Sequence, residues 1–402
     1  MLYLAIDQHS KQLTVNLRDE EGHVLLKRQV STRWEKVRPY LDEVRRRADD
    51  DGGFVTILEV CGFNDWLLKL LAEYECREIV LIQPKKRDTN KTDRRDAQQL
   101  GELLWVNRTR LLAGHRVFGI KRVRIPDADD QHDRQLTAMR LRVTRMRTKT
   151  INRARQILRR HNLQHDQPTK GFQTQATRKW LTQLELSPLD RLTMDHLLAQ
   201  WKLWDQQLAE LDKQIADRCQ HNAVAQLLGS ITGHAGFSSL ALASRIGPIG
   251  DFTKPRSLAN YWGLTPKCHN SGEATERLGS ITKAGSPMAR YVLGQLVLHV
   301  LRRDGQMRKW HRGIKLRRGS KIARVAVMRR LTTIIWHMVT HSESYQIGEP
   351  VPHGKAKTRP GQECGNDLEA HREAQRQEIH PTKGTAVDSR AHQPPSGGVQ
   401  QE

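Results

Sequence analysis

The chain has 402 residues, with 67 lysines and arginines against 44 aspartates and glutamates, for a formal net charge of +23. That length accommodates two or three domains with their own cores, and the charge excess favours a polyanionic partner, nucleic acid first and an anionic membrane surface second, over an ordinary basic enzyme. No apolar run approaches the roughly 20 residues of a membrane span, Met1–Asp7 lacks a signal-peptide layout, and the five scattered cysteines (Cys61, Cys76, Cys219, Cys268, Cys364) form no CxxC pair, so a disulfide framework and a zinc site are not indicated and a reducing cytoplasm fits.

The first part of the chain reads as α/β. Leu2–Asp7 is apolar up to its aspartate, Gln12–Leu17 alternates, and His23–Val30 follows the turn signal Arg18-Asp-Glu-Glu-Gly22, so the chain opens as a three-stranded antiparallel meander. Trp34–Ala48 has apolar residues at helical spacing (Val37, Leu41, Val44). Phe54–Val60 is a buried-strand pattern, Asp65–Tyr74 a helix, Ile79–Gln83 a strand closed by Pro84, and Thr92–Val106 a helix. Three strands, a helix, then alternating strands and helices is the chain order of an RNase H-like fold.

Residues 130–218 read as entirely helical. Leu136, Met139, Val143 and Met146 form one apolar stripe, while Leu197, Trp201, Trp204, Leu208, Leu211 and Ile215 form a seam for pairing within the chain or between chains. The first segment is crowded with arginines, including Arg140, Arg142, Arg145, Arg147, Arg153, Arg155, Arg159 and Arg160. Acidic residues are nearly absent from 134–160, so pairing one turn apart does not balance that charge, and contact with nucleic acid is favoured over a merely solvated face. A second compact unit runs over 222–342. From about Glu343 hydrophobic residues thin out, which reads as a disordered tail. The expected domains are 1–125, 126–220, 221–342 and a tail over 343–402.

Four carboxylates stand out. Asp7 and Glu59 lie at the ends of the first and fourth strands, and Asp93 and Asp96 sit one turn apart at the start of a helix. In an RNase H-like sheet the first and fourth strands are neighbours, so the four can converge. Unpaired, such charges repel one another, and divalent cations remove that cost. Magnesium prefers oxygen ligands, and two ions about 4 Å apart suit phosphodiester chemistry. Lys85, Lys86, Arg87, Lys91, Arg94 and Arg95 would draw phosphates in. Taken singly, each acid has a bland reading as a turn former or a first-turn helix residue, and Asp88 is a rival.

The segments Ala5-Ile-Asp7, Leu58-Glu59, Lys91-Thr-Asp-Arg-Arg-Asp-Ala97 and the block Gly263-Leu-Thr-Pro266, Ser271-Gly272, Lys283-Ala-Gly285 and Arg290 together resemble the DEDD transposases of bacterial insertion sequences. The resemblance spans about residues 1–340. It implies a RuvC-like α/β N-terminal domain, a helical coiled-coil middle and a mainly α C-terminal domain bearing a catalytic serine. It further implies metal ligation of two Mg2+ ions by Asp7, Glu59, Asp93 and Asp96, with Ser271 as nucleophile. DNA, a structured guide (bridge) RNA and further copies of the chain in a dimer or tetramer are the implied partners. One departure is Ser230-Ile-Thr-Gly233-His-Ala-Gly236, where members carry a Pro-Gly-Ile-Gly type hairpin.

A serine hydroxyl needs a base or a metal to become a nucleophile. Lys267, His269, Arg277, Lys283 and Arg290 are the nearby bases and cations, and the sequence does not choose among them. Competing serines are Ser257, Ser280 and Ser286, the last reading as a helix N-cap before Pro287. Met288–Leu301 reads as a core helix. A basic run follows from Arg302 to Arg324, expected to meet phosphates, while Trp262 and Trp310 read as core. The expected nucleic-acid contacts are Arg94, Arg95, Arg142, Arg145, Arg153, Lys283, Arg290, Arg317 and Arg318. The alternative function is a metal-dependent nuclease or junction resolvase that forms no covalent intermediate.

Overall fold

The computed structural model describes residues 1–50, 52–83, 93–115, 117, 120–231, 236–268 and 278–347, with the side chains of Asp50, Asp93, Arg94, Arg95, Cys268 and Leu278 left aside. Two compact units divide the chain, Met1–Gln131 and His132–Glu402.

The first unit is built on β1 (Leu2–Gln8), β2 (Gln12–Arg18), β3 (Val24–Ser31), β4 (Phe54–Glu59) and β5 (Glu78–Ile82). Sheet order is β3-β2-β1-β4-β5. β1 pairs antiparallel with β2 and parallel with β4, and β4 pairs parallel with β5. This mixed sheet, with helices on both faces, is compatible with an RNase H-like domain. The expected strands are all present, with ends moved by a residue or so.

Strand alternation sends successive side chains to opposite faces. Leu2, Leu4, Ile6, Phe54 and Leu58 go to the face covered by α1 (Trp34–Asp50) and α2 (Asp65–Glu73), where Val37, Leu41, Val44, Leu67 and Leu71 complete the core. Tyr3, Ala5, Val55, Ile57, Val80 and Ile82 go to the other face, against Leu100 and Leu104 of α3 (Asp93–Val106) and Leu111 of the short α4 (Arg108–Leu112).

In the second unit, α5 (Ala128–Arg160) and α7 (Pro188–Gln220) are long helices flanking α6 (Gln175–Gln183). The expectation that 130–218 is entirely helical is corrected: residues 161–174 form turns and bends, and residues 184–187 between α6 and α7 are also non-helical. Ser187 caps α7 by accepting from the Asp190 N–H, with Pro188 as the first helical residue, and Thr174 caps α6 in the same way. The α7 seam is satisfied within the chain. Leu211 and Ile215 join Leu136 and Val143 of α5 in the large C-terminal core, while Leu197 and Trp201 join Ile151, Ala154 and Ile157 in a separate distal core. The apolar stripe read on α5 is only half buried, because Met139 and Met146 are 47% and 38% exposed.

The remaining elements are α8 (Ala223–Gly229), α9 (Gly236–Ala243), α10 (Pro255–Tyr261), the hairpin β6 (Pro266–Cys268) and β7 (Leu278–Ile281), then α11 (Pro287–Arg303), α12 (Gly305–Arg318) and α13 (Ser320–His341). Trp262 is fully buried and Trp310 packs against the same core, as read from the sequence. Beyond α13, Tyr345 is docked: its N–H donates to Ser230 Oγ at 2.9 Å and its hydroxyl to Asp304 Oδ2 at 3.2 Å. The tail expected from 343 thus begins with an anchored residue, and 348–402 lie outside the described residues.

Candidate active site and nucleic-acid interface

The last registered pair between β1 and β4 is Ile6 with Leu58. The next residues along these parallel strands are Asp7 and Glu59. By alternation both continue the face of Ala5 and Ile57, the face that α3 covers. Neighbouring strands lie about 4.8 Å apart, so the two acids stand side by side at the carboxyl edge of the sheet. Each is partly exposed. Asp7 Oδ2 lies 3.0 Å from His9 Nε2.

The helix α3 brings the second pair. Ala97, Leu100 and Leu104 are its buried stripe. Position 93 precedes Ala97 by four residues and Asp96 adjoins it, so both positions belong to the turn that continues this stripe. Asp96 is partly buried. Close approach of α3 to the sheet depends on Gly101. A Cβ there would lie 2.4 Å from Asn16 Oδ1, and Asn16 is fully buried on β2 opposite Ala5.

The loop after Glu59 is held by side chains that sequence reading did not single out. Asn64 Nδ2 donates to the Glu59 carbonyl at 3.1 Å and to Gln8 Oε1 at 2.8 Å, Gln8 Nε2 donates to the Phe63 carbonyl at 3.0 Å, and the Cys61 N–H donates to Asn64 Oδ1 at 2.5 Å. Asn64 is 5% exposed, so these bonds fix the backbone at both strand ends. Burial pushes the Cys61 thiol up, and the charges of Asp7 and Asp65 push it further. The only sequence signal for Asn64 was its place before a helix start.

The donor set of Asp7, Glu59 and Asp96 is all oxygen, which fits a hard divalent cation better than a soft one. Among the described residues, the trio whose ligand atoms lie within 4.8 Å of one another is instead Asp19, Glu21 and His23. It sits in the β2–β3 turn, at the opposite end of β1 from Asp7, and Glu21 and His23 are exposed. Exposed acids in a turn are common without a metal.

In the second unit, two glycines cross. A Cβ on Gly285 would lie 2.1 Å from the Tyr261 carbonyl oxygen, and one on Gly263 (φ +69°) would lie 2.7 Å from the Ala284 nitrogen. Only glycine allows this backbone contact. It is closed by the Thr282 N–H donating to the Thr265 carbonyl at 2.8 Å and the Lys283 N–H donating to the Gly263 carbonyl at 3.1 Å. The Gly-Leu-Thr-Pro and Lys-Ala-Gly segments therefore clamp the base of the β6–β7 hairpin. Ser271, in the loop of that hairpin, lies outside the described residues, as do His269, Arg277 and the 232–235 part of the departing Ser230–Gly236 stretch. Ser286 is an N-cap, accepting from the Ala289 N–H at 3.2 Å, and Ser257 lies in α10.

The basic residues divide into two sets. Arg140 reaches Asp212 at 2.8 Å, Arg147 reaches Asp205 at 2.5 Å and Arg160 reaches Asp190 at 2.7 Å, so α7 supplies the acids that residues 134–160 lack. Arg290 donates from Nη1 to the Trp262 carbonyl at 3.0 Å and the Gly285 carbonyl at 2.9 Å, holding the crossed glycines, and burial lowers its pKa. By contrast Arg142, Arg145, Arg153, Lys283, Arg317 and Arg318 are exposed. Among the described residues none of these six has an ion partner. Arg94 and Arg95 occupy the first turn of α3, their side chains lying outside the description. No helix among the described residues is long and apolar enough to cross a membrane.

A transposase model for the DEDD domain of IS110-type elements matches residues 4–163, and a model of the Transposase IS116/IS110/IS902 family matches residues 225–312. Between them they cover more than half of the 402 residues. The chain is 26% identical over 300 residues to the transposase for insertion sequence element IS1111A of Coxiella burnetii, covering 73% of this chain and 79% of that one. It is 29% identical over 324 residues to the putative transposase y4pF/y4sB of Sinorhizobium fredii, covering 76% of each. A probable family 20 transposase of Pseudomonas aeruginosa is 26% identical over 234 residues, 56% of this chain and 68% of its own. With the carboxyl edge of the sheet inside one match and the glycine-clamped hairpin inside the other, the chain belongs to the IS110/IS116/IS902 transposase family.

Proposed function

We propose that this protein cuts and rejoins DNA at the ends of an insertion sequence, with Asp7, Glu59, Asp93 and Asp96 as one acidic centre and Ser271 as nucleophile. The observation that carries the reading is the placement of Asp7 and Glu59 one residue past the last registered pair of two adjacent parallel strands, on the sheet face under the helix that bears Asp96. Carboxylates drawn together there repel one another, and a divalent cation would relieve that repulsion. Two Mg2+ ions held there would neutralise charge on the transferring phosphate.

The Ser271 oxygen would bond to phosphorus, its proton passing to a base, while the displaced sugar oxygen leaves and is protonated. Energy of the broken phosphodiester is kept in the serine ester, and reversal onto a second strand rejoins DNA. The clamp at Gly263 and Gly285 supports this role by giving the hairpin that carries Ser271 a rigid base. The exposed unpaired cations Arg142, Arg145, Arg153, Lys283, Arg317 and Arg318, together with Arg94 and Arg95, would bind phosphates of DNA and of a structured guide RNA. A serine and an acidic centre in separate units suit a composite site assembled from more than one copy of the chain.

The test is a suicide DNA substrate run on a denaturing gel. The wild-type chain with Mg2+ should give a covalent protein–DNA adduct, and Ser271→Ala should abolish it while DNA binding stays nearly intact. Cleavage without any adduct would favour a hydrolytic nuclease instead. An adduct that survives Ser271→Ala would refute the serine assignment. RNA recovered with the protein should be one discrete transcript; random cellular RNA would remove the guide from the reading.

A further inference from the structure

The corner between α12 and α13 sets two exposed aliphatic side chains among cations. Residues 315–322 (Lys-Leu-Arg-Arg-Gly-Ser-Lys-Ile) are all exposed. Within them Leu316 is 87% exposed and Ile322 55% exposed, three residues on either side of Gly319, where the chain turns from one helix into the other. Lys315, Arg317, Arg318 and Lys321 surround them, and among the described residues none of the four has an ion partner. No acidic residue occurs anywhere from Gly305 to His341. The helices behind the corner are firmly seated, with Met307 of α12 and Ala323 and Val327 of α13 buried in the core.

We propose that this corner is a wedge for duplex DNA, in which Leu316, backed by Ile322, inserts between base pairs while the four cations hold the flanking phosphates. The inference rests on the DNA-recombining function above and goes beyond it by naming a side chain that deforms the duplex. Apolar wedges flanked by basic residues unstack a base step and kink DNA. The charge selects the occupant. An acid-free rim of four cations repels a second copy of the same corner and matches the phosphates on both sides of an opened step. The apolar content is two side chains at a tip, the size of a wedge rather than of a protein-docking face. A helix corner also gives the leucine rigid support, which a mobile loop would not. Bending DNA costs free energy that depends on the step, so pyrimidine–purine steps are the favoured targets.

The experiment uses the full chain and a short duplex rich in TA steps that carries a fluorescent adenine analogue, quenched while stacked. Wild-type protein should raise the fluorescence several-fold at saturation. Leu316→Ser, at a site too exposed to disturb folding, should bind with less than tenfold weaker affinity and the same salt dependence but leave the probe quenched. Lys315→Ala with Arg318→Ala should weaken binding and flatten its salt dependence, with the probe still unquenched at saturation. Wild-type binding without a fluorescence rise, or a full rise with Leu316→Ser, overturns the wedge and leaves the recombinase reading intact. Loss of self-association on Leu316→Ser in the absence of DNA assigns the corner to another copy of the chain and also overturns it. Failure of the wild-type chain to bind any duplex would instead strike the underlying reading.

Discussion

Gly101→Ala is the sharpest probe of how the acidic centre is assembled, because it touches none of the carboxylates. Glycine inside a helix is ordinarily a weakness, and alanine there gains about 1 kcal/mol of helix propensity. Here the added methyl would meet Asn16 Oδ1 at 2.4 Å and Cγ at 3.2 Å. Asn16 has little room to retreat: it is fully buried, pairs in register with Ala5 and accepts a hydrogen bond from Arg18 Nε at 3.2 Å. A carbon–oxygen contact needs more than 3 Å, so α3 must lift by about an ångström, and overpacking of this kind costs about 1–3 kcal/mol. The net is a loss of about 0–2 kcal/mol. That is a drop in melting temperature of about 8 °C at most. Activity should suffer more, since a displacement of about 1 Å at a reacting centre costs on the order of 100-fold. Single-turnover strand cleavage with Mg2+ and a thermal melt on the same preparation measure both. Asn16→Ala in the same chain removes the contacted oxygen and should restore most of the lost cleavage. Wild-type cleavage by Gly101→Ala, or a double variant no better than the single one, would show that α3 does not set the position of Asp96.

Asp7→Asn and Asp96→Asn should each stop cleavage at any Mg2+ concentration, and should shrink the rise in melting temperature that Mg2+ gives the wild type; unchanged cleavage would remove the acidic centre. Asp133→Ala should destabilise the second unit by about 1–3 kcal/mol in urea titration, because it removes a fully buried carboxylate that accepts a charged hydrogen bond from Arg218 Nε at 2.7 Å. Arg290→Met should free the Trp262 and Gly285 carbonyls, loosen the hairpin base and lower adduct formation more than DNA binding. Asp190 has its carboxyl held below the ordinary value of 3.8, first by the hydrogen bond from His161 and then by Ser187 and the charge of Arg160. A depressed folded-state pKa gives stability that is present above the unfolded value and lost as pH falls through the folded one. The urea midpoint of the wild type should therefore lead that of Asp190→Asn at neutral pH, with the lead shrinking below about pH 4; a lead independent of pH would show that the carboxylate charge is not what matters.

Much of the first unit was legible because its signals are local. Alternation over Leu2–Asp7 and Gln12–Leu17, the turn at Arg18–Gly22 and the spacing of Val37, Leu41 and Val44 are set by backbone geometry, and the strands and helices appear where those patterns run. The N-cap at Ser286 was legible for the same reason: a hydroxyl and the following proline satisfy a helix start within a few residues. The break in helix over 161–174 was not, since polarity alone does not separate a helix face from a turn. Nor was the exposure of Met139 and Met146, which depends on how wide a face α7 and the C-terminal core cover.

What the sequence determined by itself is the period of each segment and the presence of acids at two strand ends, because strand alternation and helical spacing are written in adjacent residues. Only the tertiary structure decided that Arg140, Arg147 and Arg160 are neutralised by aspartates 30 to 72 residues away, while Arg142, Arg145 and Arg153 are left exposed. It also decided that Gly101, Gly263 and Gly285 are points where backbone meets its neighbours. Partners so distant in the chain become neighbours only when whole elements pack, and no local pattern records which side of a helix that packing will cover.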